Sequence, residues 1–155
     1  MKDIILWATN KLSNLNYTFI EKPLFVGGIA LEYHDVRKNG TDIDIMVSPE
    51  DWVNLKKMFP DNINLFGGKT ESDVDATINT FVDNTKLDLI STLFMYKYHE
   101  LIDDSIELEE YKVISLRNVL FLKTLAAVET IDQKSIRDQQ LIVNKICDIR
   151  YPKNL

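Results

Sequence analysis

Cysteine occurs once in this chain, at Cys147, and histidine twice, at His34 and His99. A single thiol excludes an internal disulfide and any multi-cysteine zinc site, and two histidines leave no His-rich metal centre. Cys147 stands among Leu141, Ile142, Val143 and Ile146, a context that predicts a core thiol. Long apolar runs are missing too. The longest, Val119 to Leu122 and Leu125 to Val128, are interrupted by Lys123 and fall far short of the roughly 20 residues of a membrane span. The first residues, Met-Lys-Asp-Ile-Ile-Leu-Trp-Ala, lack the apolar core of a signal peptide, so a cytoplasmic protein with no membrane partner is expected. Positive charge is in the minority, 18 basic against 24 acidic residues for a net charge of −6. That balance repels phosphate backbones at long range and excludes an extended nucleic-acid face, though not a local basic patch.

Glycine and proline are sparse, five and four residues, and no repeat, low-complexity stretch or Pro/Gly-rich linker divides the 155 residues. One domain with a single core is expected. Ile5, Ala8, Leu12, Leu15 and Phe19 recur at three- and four-residue spacing, which predicts an N-terminal helix of about four turns. Leu24 to Val26 leads into Gly27-Gly28, where a helix to His34 is predicted to start. Thr41 to Val47 alternates with period two, so Ile43, Ile45 and Val47 face one side of a strand and Asp42, Asp44 and Met46 the other. Ser48-Pro49-Glu50-Asp51 is a helix start, with Ser as N-cap, Pro at the first position and acid in the first turn. That helix should reach about Phe59.

Strands are predicted at Asn62 to Phe66, closing in Gly67-Gly68, at Ala76 to Val82 and at Lys86 to Ile90, the last two joined by Asp83-Asn84. Beyond Ser91 the pattern reads as mostly helical. A helix is predicted near Thr92 to Ile102, then an extended piece at Tyr111 to Ile114, then two helices. The first, capped by Ser115, carries apolar residues all round and should be largely buried. The second, about Gln133 to Cys147, should turn Ile136, Val143, Ile146 and Cys147 inward, and Lys134, Arg137, Asp138 and Gln140 toward solvent or a cleft.

Three features then follow one another: Gly27-Gly28, Asp42-Ile43-Asp44, and Leu87-Asp88-Leu89. A glycine pair opening a helix lets backbone approach an anion closely. Two aspartates at i and i+2 of a strand project from one face and suit a hard cation. A third carboxylate from a neighbouring strand completes a clamp able to hold two metal ions for in-line displacement at phosphorus.

These residues resemble the nucleotidyltransferase superfamily that includes DNA polymerase beta, whose hallmark is hG[GS], a gap of about a dozen residues, Dh[DE]h and a later h[DE]h. Here Phe25-Val26-Gly27-Gly28 is followed by a gap of 13, residues 29 to 41, and then by Asp42-Ile43-Asp44-Ile45. Gly-Gly-Ile-Ala-Leu, Arg37 and Thr41-Asp-Ile-Asp, with Lys123 on a Leu-rich helix and Arg137-Asp138 after it, look most like the small bacterial and phage branch of antibiotic, abortive-infection and toxin–antitoxin enzymes. The minimal antitoxin-paired members carry Gly-Ser and a basic residue where this chain has Gly28-Ile29-Ala30, which sets it apart from them.

The resemblance implies an α/β (α+β) nucleotidyltransferase fold: a mixed twisted sheet of four to five strands flanked by helices (residues 1–90), with a mostly helical part of the same unit at 91–155. It implies transfer of an NMP from an NTP to a hydroxyl acceptor, whether small molecule, protein or RNA end, with release of pyrophosphate. Asp42, Asp44 and Asp88 would be the catalytic and metal-ligating residues, holding Mg²⁺ or Mn²⁺. Gly27, Gly28, Arg37 and Lys123 would contact the nucleotide.

Other readings stand beside these. One is a nucleotidyltransferase-like fold that has lost catalysis and serves as a binding or regulatory protein, such as an antitoxin or phage-borne antagonist; another is a homodimer that builds the acceptor site between chains. Lys123 must either reach water or meet an anion. Arg37 and Arg137 suit phosphate or a surface ion pair. His34 and His99 read as structural, Phe94, Tyr96 and Tyr98 as packing, and Asp73, Asp75 and Asp83 as loop charges.

Overall fold

A computed structural model describes residues 2–66 and 75–152. Helix α1 (Asp3–Leu12) passes into a 3-10 turn (Ser13–Leu15) that Asn16 ends in the left-handed region at φ 58°. Phe19 therefore lies off the helix, which is shorter than its apolar spacing predicted. Strand β1 (Leu24–Phe25) and helix α2 (Gly27–Tyr33) follow, then β2 (Ile43–Met46) and α3 (Pro49–Met58). The N-cap of α3 is as predicted, Ser48 Oγ accepting the Asp51 N–H at 3.2 Å. Strands β3 (Ile63–Phe66), β4 (Asp75–Val82), β5 (Thr85–Leu93) and β6 (Tyr96–Lys97) lead to a single helical turn, α4 (Tyr98–Leu101). Strands β7 (Ile106–Glu107) and β8 (Lys112–Val113) precede the helical hairpin α5 (Leu116–Thr130) and α6 (Gln133–Arg150).

The described strands form one mixed sheet in the order β3-β4-β5-β2-β1-β8-β7, with β6 paired to β5. It is wider than the four or five strands expected, because two-residue strands carry no periodicity to read. Its centre is the parallel pair β2 and β5, whose register sets Asp44 opposite Asp88. Ile43, Ile45, Leu87 and Leu89 on these strands are completely buried, which fixes which face the intervening carboxylates share. Met46, at the far end of that face, is buried as well.

Several helical expectations are corrected. Residues 92 to 102 are not one helix: Phe94 and Met95 adopt positive φ in a hairpin turn between β5 and β6. Asp75, expected to be an idle loop charge, accepts both of their backbone N–H groups at 2.7 and 2.8 Å, and this holds the turn against helix formation. Helix α5 is buried only at Val119 and Leu122, because α2 and α6 cover part of its circumference and leave Phe121 and Val128 exposed. On α6 the inward stripe is Ser135, Asp138 and Ile142, with Ile146 packed against the core. Ile136, Val143 and Cys147 each lie one residue past that stripe, about 100° around the helix, so all three are exposed and Cys147 is no core thiol. The closure of β3 by Gly67-Gly68, and Asp73, lie outside the described residues. Among the described residues no helix is long and apolar enough to cross a membrane.

One buried carboxylate ties the segment after α1 to the start of α3. Asp51 is fully buried and accepts hydrogen bonds from Tyr17 Oη (2.7 Å), Ser48 Oγ (2.9 Å) and the backbone N–H groups of Ile20 and Glu21 (2.8 and 3.1 Å). Removing it strands four donors. Asp51→Ala should lower the unfolding free energy in urea by about 3 kcal/mol, against less than about 1 kcal/mol for Glu50→Ala in the same helical turn; equal losses would refute the anchoring role.

Candidate functional site

The parallel register of β2 and β5 brings Asp44 and Asp88 into side-chain hydrogen-bond contact. Two carboxylates so close cannot both ionise freely in a poorly hydrated place. Burial first, and then the Asp88 carboxylate, push the Asp44 carboxyl up to about 7. Asn79 on β4, opposite Asp88 in the sheet register, donates through Nδ2 to Asp88 Oδ1 at 2.5 Å. Asp42 stands just before β2, its Oδ1 accepting from Thr41 Oγ1 at 3.0 Å. Lys86 lies between it and the pair, its Nζ 3.9 Å from Asp42 Oδ2 and 3.8 Å from Asp88 Oδ2. Asp44 and Asp88 thus meet, while Asp42 shares their neighbourhood through a lysine.

Gly27 and Gly28 abut this centre, and at Gly27 both the backbone conformation and the space call for glycine. Gly27 has φ +58°, and a Cβ there would fall 2.5 Å from Asp44 Oδ2. A Cβ on Gly28 would fall 2.1 Å from Asn39 Oδ1. The backbone at the start of α2 is therefore pressed against the carboxylate site, as close approach to a ligand there requires. Asn39 is fixed in turn, its N–H donating to Glu32 Oε1 at 2.8 Å and its Nδ2 to the Asp42 carbonyl at 3.2 Å.

Arg37 and Lys123 both meet Asp138. The guanidinium donates through Nε to Oδ1 at 2.6 Å and through Nη2 to Oδ2 at 2.9 Å, and Lys123 Nζ lies 2.9 Å from the same Oδ2. Their side chains are 22 % and 19 % exposed, so this is an enclosed network rather than a surface ion pair. Burial pushes the Asp138 carboxyl up, but the bonds from Arg37 and Lys123 outweigh it and hold the group at about 2.

Two cavities open on either side of these residues and share Gly27, Asp44 and Lys123. The smaller, about 210 Å³, is a polar groove bounded by Gly28, Arg37, Asn39 and Lys134. The larger, about 460 Å³, has Asp88, Asn79 and Lys86 at one end and Phe66, Phe94, Val119 and Leu122 along its walls.

All seven candidate residues therefore border the same two cavities. Asn39, Asn79, Lys86 and Asp138 were missed as site residues. None left a signal of its own: Asn79 and Lys86 depend on pairing across the sheet, Asn39 on the loop that carries it against Gly28, and Asp138 on Arg37 and Lys123, both distant in sequence. Arg137 is exposed on α6. His34 bonds the Ile114 carbonyl through Nε2 at 2.7 Å and His99 lies 3.6 Å from Glu21, away from the site. Tyr98 is buried and Tyr96 packs edge-on against Phe121, as packing residues do, whereas Phe94 lines the larger cavity.

Among the described residues no three His, Cys, Asp or Glu side chains form a ready-made metal shell. The donor set nonetheless suits a hard divalent cation, since Asp44 and Asp88 crowd two oxygen donors whose mutual repulsion a cation relieves, and Asp42 is near. Without that cation, Asp44 governs a pH response. The folded protein keeps it protonated up to about pH 7, whereas its ordinary value is 3.8, so its contribution to stability is complete in acid and lost as pH rises through about 7. In metal-free buffer the melting temperature of the wild type should fall across that range relative to Asp44→Asn, which has no such proton; parallel curves would show that the pair is not strained.

No protein-family model and no curated protein sequence matches the chain. Solved structures do. The solution structure of the antibiotic-resistance factor ANT(2'')-Ia, an aminoglycoside nucleotidyltransferase, superposes with a TM-score of 0.51 at 16% identity, covering 92% of this chain and 80% of that one. The crystal structure of ANT(2'')-Ia in complex with adenylyl-2''-tobramycin gives 0.52 at 14% identity, covering 97% and 92%. At such identities the likeness establishes the architecture, and the chain has a nucleotidyltransferase-like fold.

Proposed function

We propose that the protein transfers a nucleoside monophosphate from an NTP to a hydroxyl-bearing acceptor and releases pyrophosphate. The observation that carries this reading is the Asp44–Asp88 contact at the junction of a basic, glycine-backed groove and an apolar cavity. The groove suits the triphosphate. Gly27 and Gly28 let backbone approach it, and Arg37, Lys123 and Lys134 supply positive charge. The larger cavity has volume and apolar walls for the organic part of a ligand. ANT(2'')-Ia, captured with adenylyl-2''-tobramycin, supports a small-molecule acceptor in a site of this architecture.

In the reaction the acceptor oxygen forms a bond to the α-phosphorus as the bond to the β-phosphate oxygen breaks, and the acceptor proton passes to a carboxylate. Asp88, held by Asn79 and beside the cavity, would take that proton where it does not serve as the third metal ligand. Mg²⁺ or Mn²⁺ held by Asp42, Asp44 and Asp88 would neutralise charge on the triphosphate and the departing pyrophosphate. Arg37 and Lys123 fix the phosphates from the side of the groove. The apolar walls, Val119 and Leu122 among them, exclude water that would compete with the acceptor.

One feature favours the alternative of a binding or regulatory protein without catalysis: the Lys86 ammonium already occupies the gap between Asp42 and Asp88. Calorimetry with NTPs and Mg²⁺ separates the two, since an inert relative should show no metal-dependent nucleotide affinity. For the enzyme, the double replacement Asp42→Ala/Asp44→Ala should reduce label transfer from radiolabelled NTP at least about a thousandfold and abolish metal-dependent NTP binding. Transfer and binding equal to wild type would end this reading.

A further inference from the structure

Among the described residues two carboxylates are enclosed in the protein, Asp51 and Asp138. Asp51 has a sufficient structural purpose in the donors it gathers. Asp138 differs in what it faces. It is 2 % exposed, and its partners are two of the three cations of the glycine-backed groove, brought in from separate elements: Arg37 from the segment after α2 and Lys123 from α5. A single oxygen, Oδ2, receives both Arg37 Nη2 and Lys123 Nζ at 2.9 Å. Without an anion between them, a guanidinium and an ammonium meeting at one point would repel each other. With it they become neighbours, and the three side chains together retain one positive charge.

The bonding pattern also leaves capacity unused. An ammonium has three donors and a guanidinium five. Asp138 takes one from Lys123 and two from Arg37, and the Lys38 carbonyl takes a third from Arg37 at 2.8 Å. Lys134, one turn before Asp138 on α6, borders the same groove. Helix α6 thus brings the carboxylate that aligns two cations together with a third cation. The N-cap of that helix, Asp132, accepts from the N–H groups of Lys134 and Ser135 at 3.2 and 3.3 Å and fixes its first turn at the rim.

We propose that Asp138 is a positioning residue that makes the site selective for polyphosphates: by holding Arg37 and Lys123 side by side, it gives a triphosphate two aligned cations where a monophosphate engages at most one. The inference rests on the reading that the groove takes an NTP, and goes beyond it in assigning phosphate-number discrimination to a residue that need not touch the nucleotide. A plain latch between α6 and the segment after α2 would have a different signature. Losing a latch lowers stability and weakens every ligand alike, whereas losing alignment weakens binding in proportion to the number of phosphates.

The test compares wild type with Asp138→Asn, which preserves shape and removes the charge. Affinities are measured by calorimetry for each common NTP in the presence of Mg²⁺, and for the NTP that binds, its diphosphate and monophosphate; melting curves confirm folding. Wild type should tighten stepwise from mono- to triphosphate. In Asp138→Asn the preference for tri- over monophosphate should fall about tenfold with monophosphate affinity unchanged. A preference equal to wild type, or equal weakening of all three nucleotides, overturns the proposal. If Asp138→Asn does not fold, Asp138→Glu takes its place: it keeps the charge but moves the fork by one methylene, and the preference should fall at least about threefold, an unchanged preference again overturning it. Failure of wild type to bind any NTP sinks the functional reading and this proposal together, whereas normal NTP binding with an indifferent variant sinks this proposal alone.

Discussion

Two carboxyl groups forced together on neighbouring strands govern the site. The register of β2 on β5 is set by the buried Ile43, Ile45, Leu87 and Leu89, and a slip of one residue would put those side chains on the wet face. Asp44 and Asp88 must therefore meet. Burying a pair of carboxylates without a counter-charge is costly, and either a proton or a cation has to be kept between them. The surroundings temper the repulsion in separate ways: Asn79 donates to Asp88, Lys86 approaches Asp88 and Asp42, and Asp44 retains its proton to about pH 7. A hard cation would relieve the same repulsion, which is the physical basis of the proposed metal site.

Around that pair, charge is sorted rather than spread. The chain as a whole is acidic, yet Arg37, Lys123 and Lys134 gather on the groove side. Asp138 lets two of them stand together without mutual repulsion, and its own ionisation is secured by theirs. On the other side the walls turn apolar, with Phe66, Phe94, Val119 and Leu122 bounding a space that meets the groove at Gly27, Asp44 and Lys123. A ligand with an anionic tail and a less polar body matches this division, and its scissile part would lie where the two spaces join. The absence of side chains on Gly27 and Gly28 keeps that junction open, since any Cβ would strike Asp44 or Asn39.

Much of this was legible from residue order. The alternation at 41–47, the Ser48 cap and the glycine pair are local signals, and β2, α3 and α2 form where they predict. The spacing of Asp42, Asp44 and Asp88 indicated one face of one sheet, and the register of β2 on β5 places Asp44 and Asp88 there together. What could not be read depends on partners distant in sequence. The helix expected at 92–102 gives way to a turn because Asp75, from the start of β4, holds its N–H groups. Asp138 looked like a solvent or cleft residue, because nothing near it in sequence shows that Arg37, 101 residues earlier, will lie against it. Cys147 looked apolar by its neighbours, yet its position one residue beyond the inward stripe of α6 exposes it.

The proposed reaction stands on the Asp44–Asp88 pair, with Asp42 nearby, as the seat of a divalent cation facing the glycine-backed groove. A crystal soaked with a non-hydrolysable NTP and Mn²⁺ tests it most directly, because the anomalous signal of manganese locates the ion independently of the nucleotide. The expected result is an ion ligated by Asp44 and Asp88, with the phosphates lying against Gly27-Gly28 and within reach of Lys123. An ion bound away from both carboxylates, or a nucleotide seated elsewhere on the protein, would contradict it.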